Sequence, residues 1–144
     1  MTNTALSAKA KQIAQNVTFR DDEHRKFFLT YLPKCRYGDV YHAALVYCLG
    51  IDADTRRNVK AIYDFKTGCV KTECLHNGWI TSGSAKVVRM AFNLYNNGTP
   101  SVYDYEDMED QLKECKQYTV EDLFCCGYAR YFWQAVKVRY PEYC

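Results

Sequence analysis

Apolar residues recur with the period of an α-helix in three segments of this chain. The first segment carries them at the i, i+3, i+4, i+7 and i+8 positions expected of a helix with one buried face: Val40, Ala43, Ala44, Tyr47 and Cys48. The other two segments run from about 85 to 95 and from about 128 to 138. Because such faces are buried against one another, the pattern predicts a mostly α-helical, compact multi-helix single domain.

Capping residues and helix breakers set the expected bounds of these three helices. Gly50 is expected to end the first helix. Either Ser82 or Ser84 is expected to cap the second, central helix, and Gly98 to end it. Pro141 terminates the third, because its ring and missing N–H cannot continue a helix.

Three further helices are predicted. One spans about 20–32, with Thr18 and Asp21 at its start and Pro33 after its end. Another begins with Asp54 as its N-cap and places Val59, Ile62 and Tyr63 inward. A short one follows Thr119 through Phe124, since Thr119 and Asp122 resemble a capping box.

The remaining segments divide into an N-terminal region and a connector. Residues 1–18 are predicted to form an N-terminal extension or helix, loosely attached because its apolar residues are few. Residues 19–144 then form the single helical domain. Within it, residues 66–80 break the helical period, and Gly68 with the pair Asn77-Gly78 indicates an irregular connector or a small hairpin.

Charge and cysteine usage favour a cytoplasmic protein. The 144 residues include 19 basic and 17 acidic ones, a net charge of +2, with the two signs interleaved. No apolar run approaches the roughly 18–20 residues of a membrane-spanning helix, so no membrane partner is expected. The N-terminal stretch lacks the continuous apolar centre of a secretory signal, because Lys9, Lys11 and Gln12 interrupt it. Most of the eight cysteines are therefore expected to be reduced packing residues.

A zinc site is the sharpest candidate for bound metal. Cys69, Cys74 and His76 form a C-x4-C-x-H arrangement in the connector, with Cys115 or the pair Cys125-Cys126 as the fourth ligand. The spacing matches neither a C-x2-C pair nor a complete finger. Ordinary buried thiols and a surface imidazole are therefore favoured, and no cofactor is expected.

No catalytic residue is predicted. A cysteine nucleophile needs a neighbouring histidine, and nothing in the sequence places His24, His42 or His76 beside a particular cysteine. We expect His42 to be partly buried with its polar atoms satisfied, and His24 to lie on a solvated surface among charged neighbours. No phosphate-binding loop, dinucleotide fingerprint, HExxH or GxSxG sequence occurs. These observations favour a protein that is not an enzyme.

Nucleic-acid binding is the first alternative function. Thirteen tyrosines can stack on bases, and five basic residues can meet phosphates: Arg56, Arg57, Lys60, Lys86 and Arg89. The acidic stretch from Tyr103 to Asp110, which includes Asp104, Glu106, Asp107 and Glu109, is expected to lie on an exposed surface and adds an opposing charge. Arg56, Arg57 and Lys60 are first of all the solvated side of an amphipathic helix.

Aromatic residues exceed what a small core can hold, which favours a protein-binding surface. The surplus is concentrated near the core helices: Trp79, Tyr95, Tyr128, Tyr131, Trp133 and Tyr140. The candidate partner-binding residues are Trp79, Arg89, Asn93, Asn96, Arg130 and Trp133. For Arg89, Asn93 and Asn96, which flank the apolar face of the central helix, a role in capping the connector is the competing and favoured interpretation. Phe92 and Phe132 are expected in the core.

Three stretches resemble an uncharacterised family of small proteins encoded on phages and conjugative elements of gut bacteria. They are IYDF (62–65), CLHNGWITSGSAKVVRMAFNLYNNG (74–98) and YTVEDLFCCGYARYFWQAVKVRYPEYC (118–144). The resemblance covers about residues 19–144, and it departs at Arg130, where the family commonly has proline. No catalytic residues are established for that family, so the resemblance carries none over. It implies an accessory protein of a mobile element, and such proteins often bind and block host machinery.

Together the sequence favours a non-enzymatic protein-binding accessory protein of a phage or mobile element, of the kind that inhibits a host defence complex such as a CRISPR effector. Its partner would be a host or mobile-element protein. A nucleic-acid-binding regulatory protein is the alternative, and a zinc-stabilised small domain is the second alternative.

Overall fold

The computed structural model describes residues 3–101 and 107–144. The helices in these ranges are α1 Asn3–Ala14, α2 Asp22–Tyr31, α3 Val40–Leu49, α4 Ala53–Arg57, α5 Val59–Ile62, α6 Ser82–Asn96, α7 Met108–Lys116, α8 Val120–Phe124 and α9 Ala129–Arg139. Two short 3-10 helices, Leu32–Lys34 and Thr72–His76, accompany them. No helix in the described ranges is long and apolar enough to cross a membrane. The predicted mostly α-helical single domain is confirmed.

Helix α3 lies at the centre of the core. It is apolar on all sides, and its residues from 42 to 49 are buried; such a helix is stable only when it is covered all round. Helices α6 and α9 both pack against it. Phe92 of α6 and Phe132 of α9 have no exposed surface, as the periodic faces predict.

Side-chain caps begin helices α3, α6 and α8, at positions close to the predicted ones. Asp39 caps α3 by accepting from the backbone N–H of His42, and Gly50 ends that helix as predicted. Thr119 caps α8, also as predicted. The cap of α6 is Thr81 instead of Ser82 or Ser84, and Ser84 completes a capping box with it. Asn97 ends α6 instead of Gly98.

The other bounds differ from prediction by a few residues. Asp21 is the N-cap of α2, so this helix begins after the predicted position. Asp52 caps α4, and Asp54 lies inside it. The helix predicted from Asp54 is interrupted at Asn58, and Tyr63 belongs to a strand. Clustered Asp residues each make a good cap, so the sequence alone does not distinguish them.

The connector contains the predicted small hairpin. Strands β1 Tyr63–Asp64 and β2 Cys69–Val70 pair antiparallel, with Tyr63 opposite Val70. Gly68 adopts a φ of 76°, a left-handed conformation that glycine tolerates without strain. The hairpin thus begins just before the predicted segment, and the pair Asn77-Gly78 follows the 3-10 helix that comes after it.

The leading helix α1 is attached to the core, which corrects the prediction of a loose arm. Leu6, Ala10 and Ala14 are buried, and α1 packs against α2 and the 3-10 helix Leu32–Lys34. These three residues recur every fourth position and so share one face of the helix. Two are alanines, which add little to an apolar periodicity but allow close helix approach.

The acidic segment is partly described. Asp104 and Glu106, which were expected to lie on an exposed surface, fall outside the described residues. Asp107 caps α7, and Glu109 and Asp110 occupy its first turn, where negative charge is favourable next to the helix dipole.

His24 is buried with no exposed surface, which contradicts the expectation of a solvated histidine. Its Nδ1 accepts a hydrogen bond from the backbone N–H of Arg20 at 3.0 Å, so Nε2 carries the proton and donates to the carbonyl of Tyr47 at 2.7 Å. A Cβ at Gly50 would lie 2.7 Å from His24 Cδ2. The neutral ring is therefore enclosed and fully satisfied.

We expect the protein to lose stability as the pH falls through the titration of His24. Burial lowers its pKa from 6.5 to about 4. Between these values the unfolded chain binds a proton that the folded chain does not, so the free energy of unfolding decreases as pH decreases. The loss approaches about 3 kcal/mol at pH 4, at about 1.4 kcal/mol per pKa unit. Urea unfolding between about pH 7 and about pH 4 measures it.

The variant His24→Gln isolates this contribution, because the remaining carboxylates and histidines titrate in both proteins. Below about pH 6.5, we expect the free energy of unfolding to decrease more steeply with falling pH in the wild type than in the variant. Equal slopes in the two proteins would contradict a buried, neutral His24.

Candidate partner-binding surface

One side of α9 presents aromatic and cationic side chains to solvent. Arg130, Trp133 and Lys137 follow one another at i, i+3 and i+7, a spacing that places them on one side of the helix, and Tyr140 is the C-cap residue directly after it. We call these four residues the α9 face. Trp133 is 48% exposed and Tyr140 is 37% exposed. The opposite side of α9 is buried: Phe132, Ala135, Val138 and Arg139.

The indole of Trp133 is paired with a cation. The Nζ atom of Lys137 lies 5.5 Å from the ring centroid, within the range of a cation–π contact. The contact restrains the indole and places a positive charge beside it. An oriented aromatic ring loses less conformational entropy when a partner covers it.

Arg139 anchors the end of α9 to the end of α6. Its Nε donates to the carbonyl of Leu94 at 3.0 Å, and its Nη2 donates to Oδ1 of Asn97 at 2.9 Å. The guanidinium lies 3.8 Å from the ring centroid of Tyr41 and 4.5 Å from that of Tyr140. A cation beside the last carbonyls of α6 is favourable, so this contact fixes the position of the α9 face.

A groove of about 540 Å³ lies beside the α9 face. We call it the α1–α9 groove, because α1, the beginning of α3 and the end of α9 form its walls. Its apolar lining comprises Ile13, Val17, Val40, Ala43, Val138 and Pro141. Lys9, Asp39 and Lys137 provide its charged side chains. Lys137 belongs to both the groove and the α9 face, so the two surfaces are continuous.

Of the predicted partner-binding residues, Arg130 and Trp133 are brought together on the α9 face. Trp79 is half-buried and packs against the core. Asn93 donates from Nδ2 to the carbonyl of Gly98 at 2.9 Å, a structural contact at the C-terminal end of its own helix instead of at the connector. Asn96 is exposed in the last turn of α6.

Arg89 is committed to an intramolecular ion pair. Its Nε donates to Oε1 of Glu114 at 2.9 Å, and its Nη2 donates to Oε2 at 3.5 Å. The two side chains are 15% and 5% exposed. Arg89 therefore joins α6 to α7 and is not available as a partner contact.

The four candidate zinc ligands are not assembled. Cys69 is exposed in β2, whereas Cys74 is buried, and its burial raises the pKa of its thiol to about 12. Cys115 lies on α7, with its Sγ 3.3 Å from Oγ1 of Thr99. Across residues 3–101 and 107–144, no three His, Cys, Asp or Glu side chains come close enough to hold a metal ion. The spacing in sequence does not produce a tetrahedral site, and the zinc-stabilised alternative is not supported.

A chain of polar side chains under the hairpin was not predicted. Nδ1 of His42 donates to Oδ1 of Asp39 at 2.7 Å, and Nε2 lies 3.4 Å from the hydroxyl of Tyr95. That hydroxyl donates to the carbonyl of Gly68 at 2.7 Å and lies 2.9 Å from the hydroxyl of Tyr63. Since Tyr95 has one proton, which goes to Gly68, Tyr63 donates to Tyr95.

These contacts hold the hairpin against α3 and α6. Burial raises the pKa of both tyrosines, so their hydroxyls stay protonated. Gly68, in the turn of the hairpin, is tied to α6 through Tyr95. The arrangement therefore has a structural role, which is to fix the hairpin to α3 and α6.

Fold and surface together define a small mostly α-helical domain with an exposed aromatic and cationic helix face. The model of the DUF6075 family, a family of unknown function, matches residues 14–144. The chain belongs to this family, in agreement with the predicted membership of an uncharacterised family. No curated protein and no solved structure matches the chain. Most of α1 lies outside the matched residues, whereas the whole α9 face lies within them.

Proposed function

We propose that this protein is a cytoplasmic, non-enzymatic accessory protein of a phage or mobile element that binds and inhibits a host defence complex. The observation that supports binding is the half-exposed Trp133 on the same helix face as the exposed Arg130, with Tyr140 at the end of that helix. Trp, Tyr and Arg are the residues that dominate the energetic centres of protein interfaces. The mobile-element role rests on the resemblance of the sequence, which is an argument by association.

The exposed indole can contribute substantially to binding. A tryptophan side chain buries roughly 200 Å² when it is fully covered, and about half of Trp133 is still exposed. Covering the remaining roughly 100 Å² is favourable by about 2.5 kcal/mol at about 25 cal/mol per Å². Such a gain corresponds to a roughly 60-fold change in affinity.

Internal partners of the basic residues favour a protein partner over nucleic acid. The guanidinium of Arg56 donates to the carbonyl of Gly50, and Arg57 pairs with Asp54. Lys86 donates to the carbonyl of Asp122, and Arg89 is paired with Glu114. A phosphate-binding surface needs cations that are directed outward, and these four have partners in their own chain, whereas Lys60 is exposed.

Replacing Trp133 with alanine is expected to weaken partner binding by about 2 kcal/mol or more, roughly 30-fold, with little effect on stability. The wild type and the variant are used as baits in nuclease-treated lysate of host bacteria, and captured proteins are quantified by mass spectrometry. A stoichiometric partner should be captured by the wild type and lost by the variant. Binding constants are then measured with that partner purified.

Leu112→Ala is the matched control, because Leu112 is a large apolar residue, 58% exposed, on a different helix. It should capture the partner as the wild type does. Capture of no stoichiometric protein, or equal capture by the Trp133 variant, would count against the proposal. A salt-dependent gel shift with DNA or RNA would instead support the nucleic-acid-binding alternative.

A further inference from the structure

We infer that the α1–α9 groove binds an acidic, amphipathic segment of the partner protein, with carboxylates next to Lys9 and Lys137 and apolar side chains against the groove floor. The inference rests on the proposed protein-binding function and specifies the chemistry of the partner. The shape and lining of the groove, its charge and its continuity with the α9 face each support it.

The floor of the groove suits a few apolar side chains. Ile13 and Val17 are only partly buried, and they pack against the core from the side of α1. Val40 and Ala43 from α3 and Val138 from α9 complete the apolar lining. A volume of about 540 Å³ accommodates several side chains but not a whole helix. The occupant is therefore a segment that inserts part of its surface.

The charge of the groove lining favours an acidic segment of the partner. Two lining side chains, Lys9 and Lys137, are cationic, and one, Asp39, is anionic. The carboxylate of Asp39 is already engaged, since its Oδ1 accepts from both the backbone N–H and Nδ1 of His42. Arg130 on the adjoining α9 face adds positive charge. Carboxylates of the partner are complementary to this surface.

The polar part of the lining favours a polypeptide over an acyl chain. Gln12 and Asn16 line the groove with side-chain amides. Amides can pair with the N–H and C=O groups of a bound backbone, which would otherwise lose their hydrogen bonds to water. The Asn16 amide already donates to the carbonyl of Gln12, but an acyl chain would cover the remaining donors and acceptors of the two amides without pairing with them. A peptide segment uses both parts of the lining.

Continuity with the α9 face allows one partner to cover both surfaces. Lys137 lines the groove and also lies over Trp133. The wall supplied by Lys9, Gln12 and Ile13 precedes the residues that the family model matches. In this chain, recognition of an acidic segment therefore depends on α1, whereas Trp133 belongs to the family region.

Selection from a displayed library of random dodecapeptides tests the inference with the full chain as the target. Enriched peptides should combine Asp or Glu with Leu, Ile, Phe or Trp. A synthetic copy of the strongest binder should bind the variant Lys9→Glu/Lys137→Glu at least about tenfold more weakly. Replacing the carboxylates of the peptide with lysines should restore binding to that variant.

The control Lys60→Glu/Lys66→Glu makes the same change in net charge at two exposed lysines elsewhere. Its affinity for the peptide should lie within about twofold of the affinity of the wild type, because long-range effects of charge are screened by salt. Failure to enrich peptides, enrichment of peptides without acidic residues, or equal weakening by both double variants would overturn the inference. The Trp133 test is separate from this one. If capture of a partner depends on Trp133 but no peptide depends on the groove, the inference about the groove is refuted and the proposed function is not.

Discussion

Replacing Phe92 with alanine is expected to lower the free energy of unfolding by about 3–5 kcal/mol. Phe92 has no exposed surface and lies on α6, which packs against α3. Truncation removes the transfer free energy of the ring and leaves a cavity that close-packed neighbours fill only in part. Urea unfolding monitored by circular dichroism gives the change in free energy.

Phe132→Ala on α9 is a second variant of the same kind. Its ring is also fully buried and contacts the ring of Phe124 edge-on, with centroids 5.9 Å apart. Trp133→Ala, one residue further, is the control, since it removes a larger ring from the exposed side of the same helix. It should cost about 1 kcal/mol or less. A loss below about 1 kcal/mol in both phenylalanine variants would show that the core is not organised around α3.

The core helices were predictable because their burial depends on local spacing. Helices α6 and α9 each carry apolar residues at helical intervals, and this spacing alone assigns them a buried side. Helix α3 is apolar on all sides, so its composition indicates burial all round. Phe92 and Phe132 follow directly from the spacing. The signal fails for α1, whose buried side consists of Leu6 and two alanines. Alanine is almost neutral in apolar periodicity, so close helix contact through alanine is hard to predict.

Contacts between distant residues were not predictable from spacing. Tyr95 meets His42 and Tyr63, which are 53 and 32 residues away. His24 was assigned to solvent because Asp22, Glu23 and Arg25 adjoin it, yet one turn of helix carries both exposed and buried residues. The candidate zinc ligands show the same limit, since Cys69 and Cys74 are close in sequence but differ in exposure.

The candidate surface was predicted in part, through residue type. Trp133 and Arg130 were selected because these residues are frequent at interfaces, and their exposure supports that selection. Lys137 was missed, although it stands four residues after Trp133, a spacing at which helical side chains meet. Lys9 could not be found, because only the packing of α1 brings it to the same groove.

Replacing Glu114 with alanine is expected to lower the free energy of unfolding by about 3–5 kcal/mol. The side chain of Glu114 is 5% exposed and pairs with Arg89. Removing the carboxylate leaves the guanidinium desolvated and without its partner. The cost thus comes mainly from the residue that remains, and urea unfolding measures it.

Two comparisons separate this explanation from a general effect of charge removal. Glu109→Ala breaks the exposed pair with Lys113 on the same helix, and it should cost about 0.5 kcal/mol or less. The double variant Arg89→Met/Glu114→Leu removes both charges and keeps the volume apolar, so it should recover most of the stability lost in Glu114→Ala. If the double variant is as unstable as the single one, lost packing between α6 and α7, and not the unpaired guanidinium, accounts for the cost.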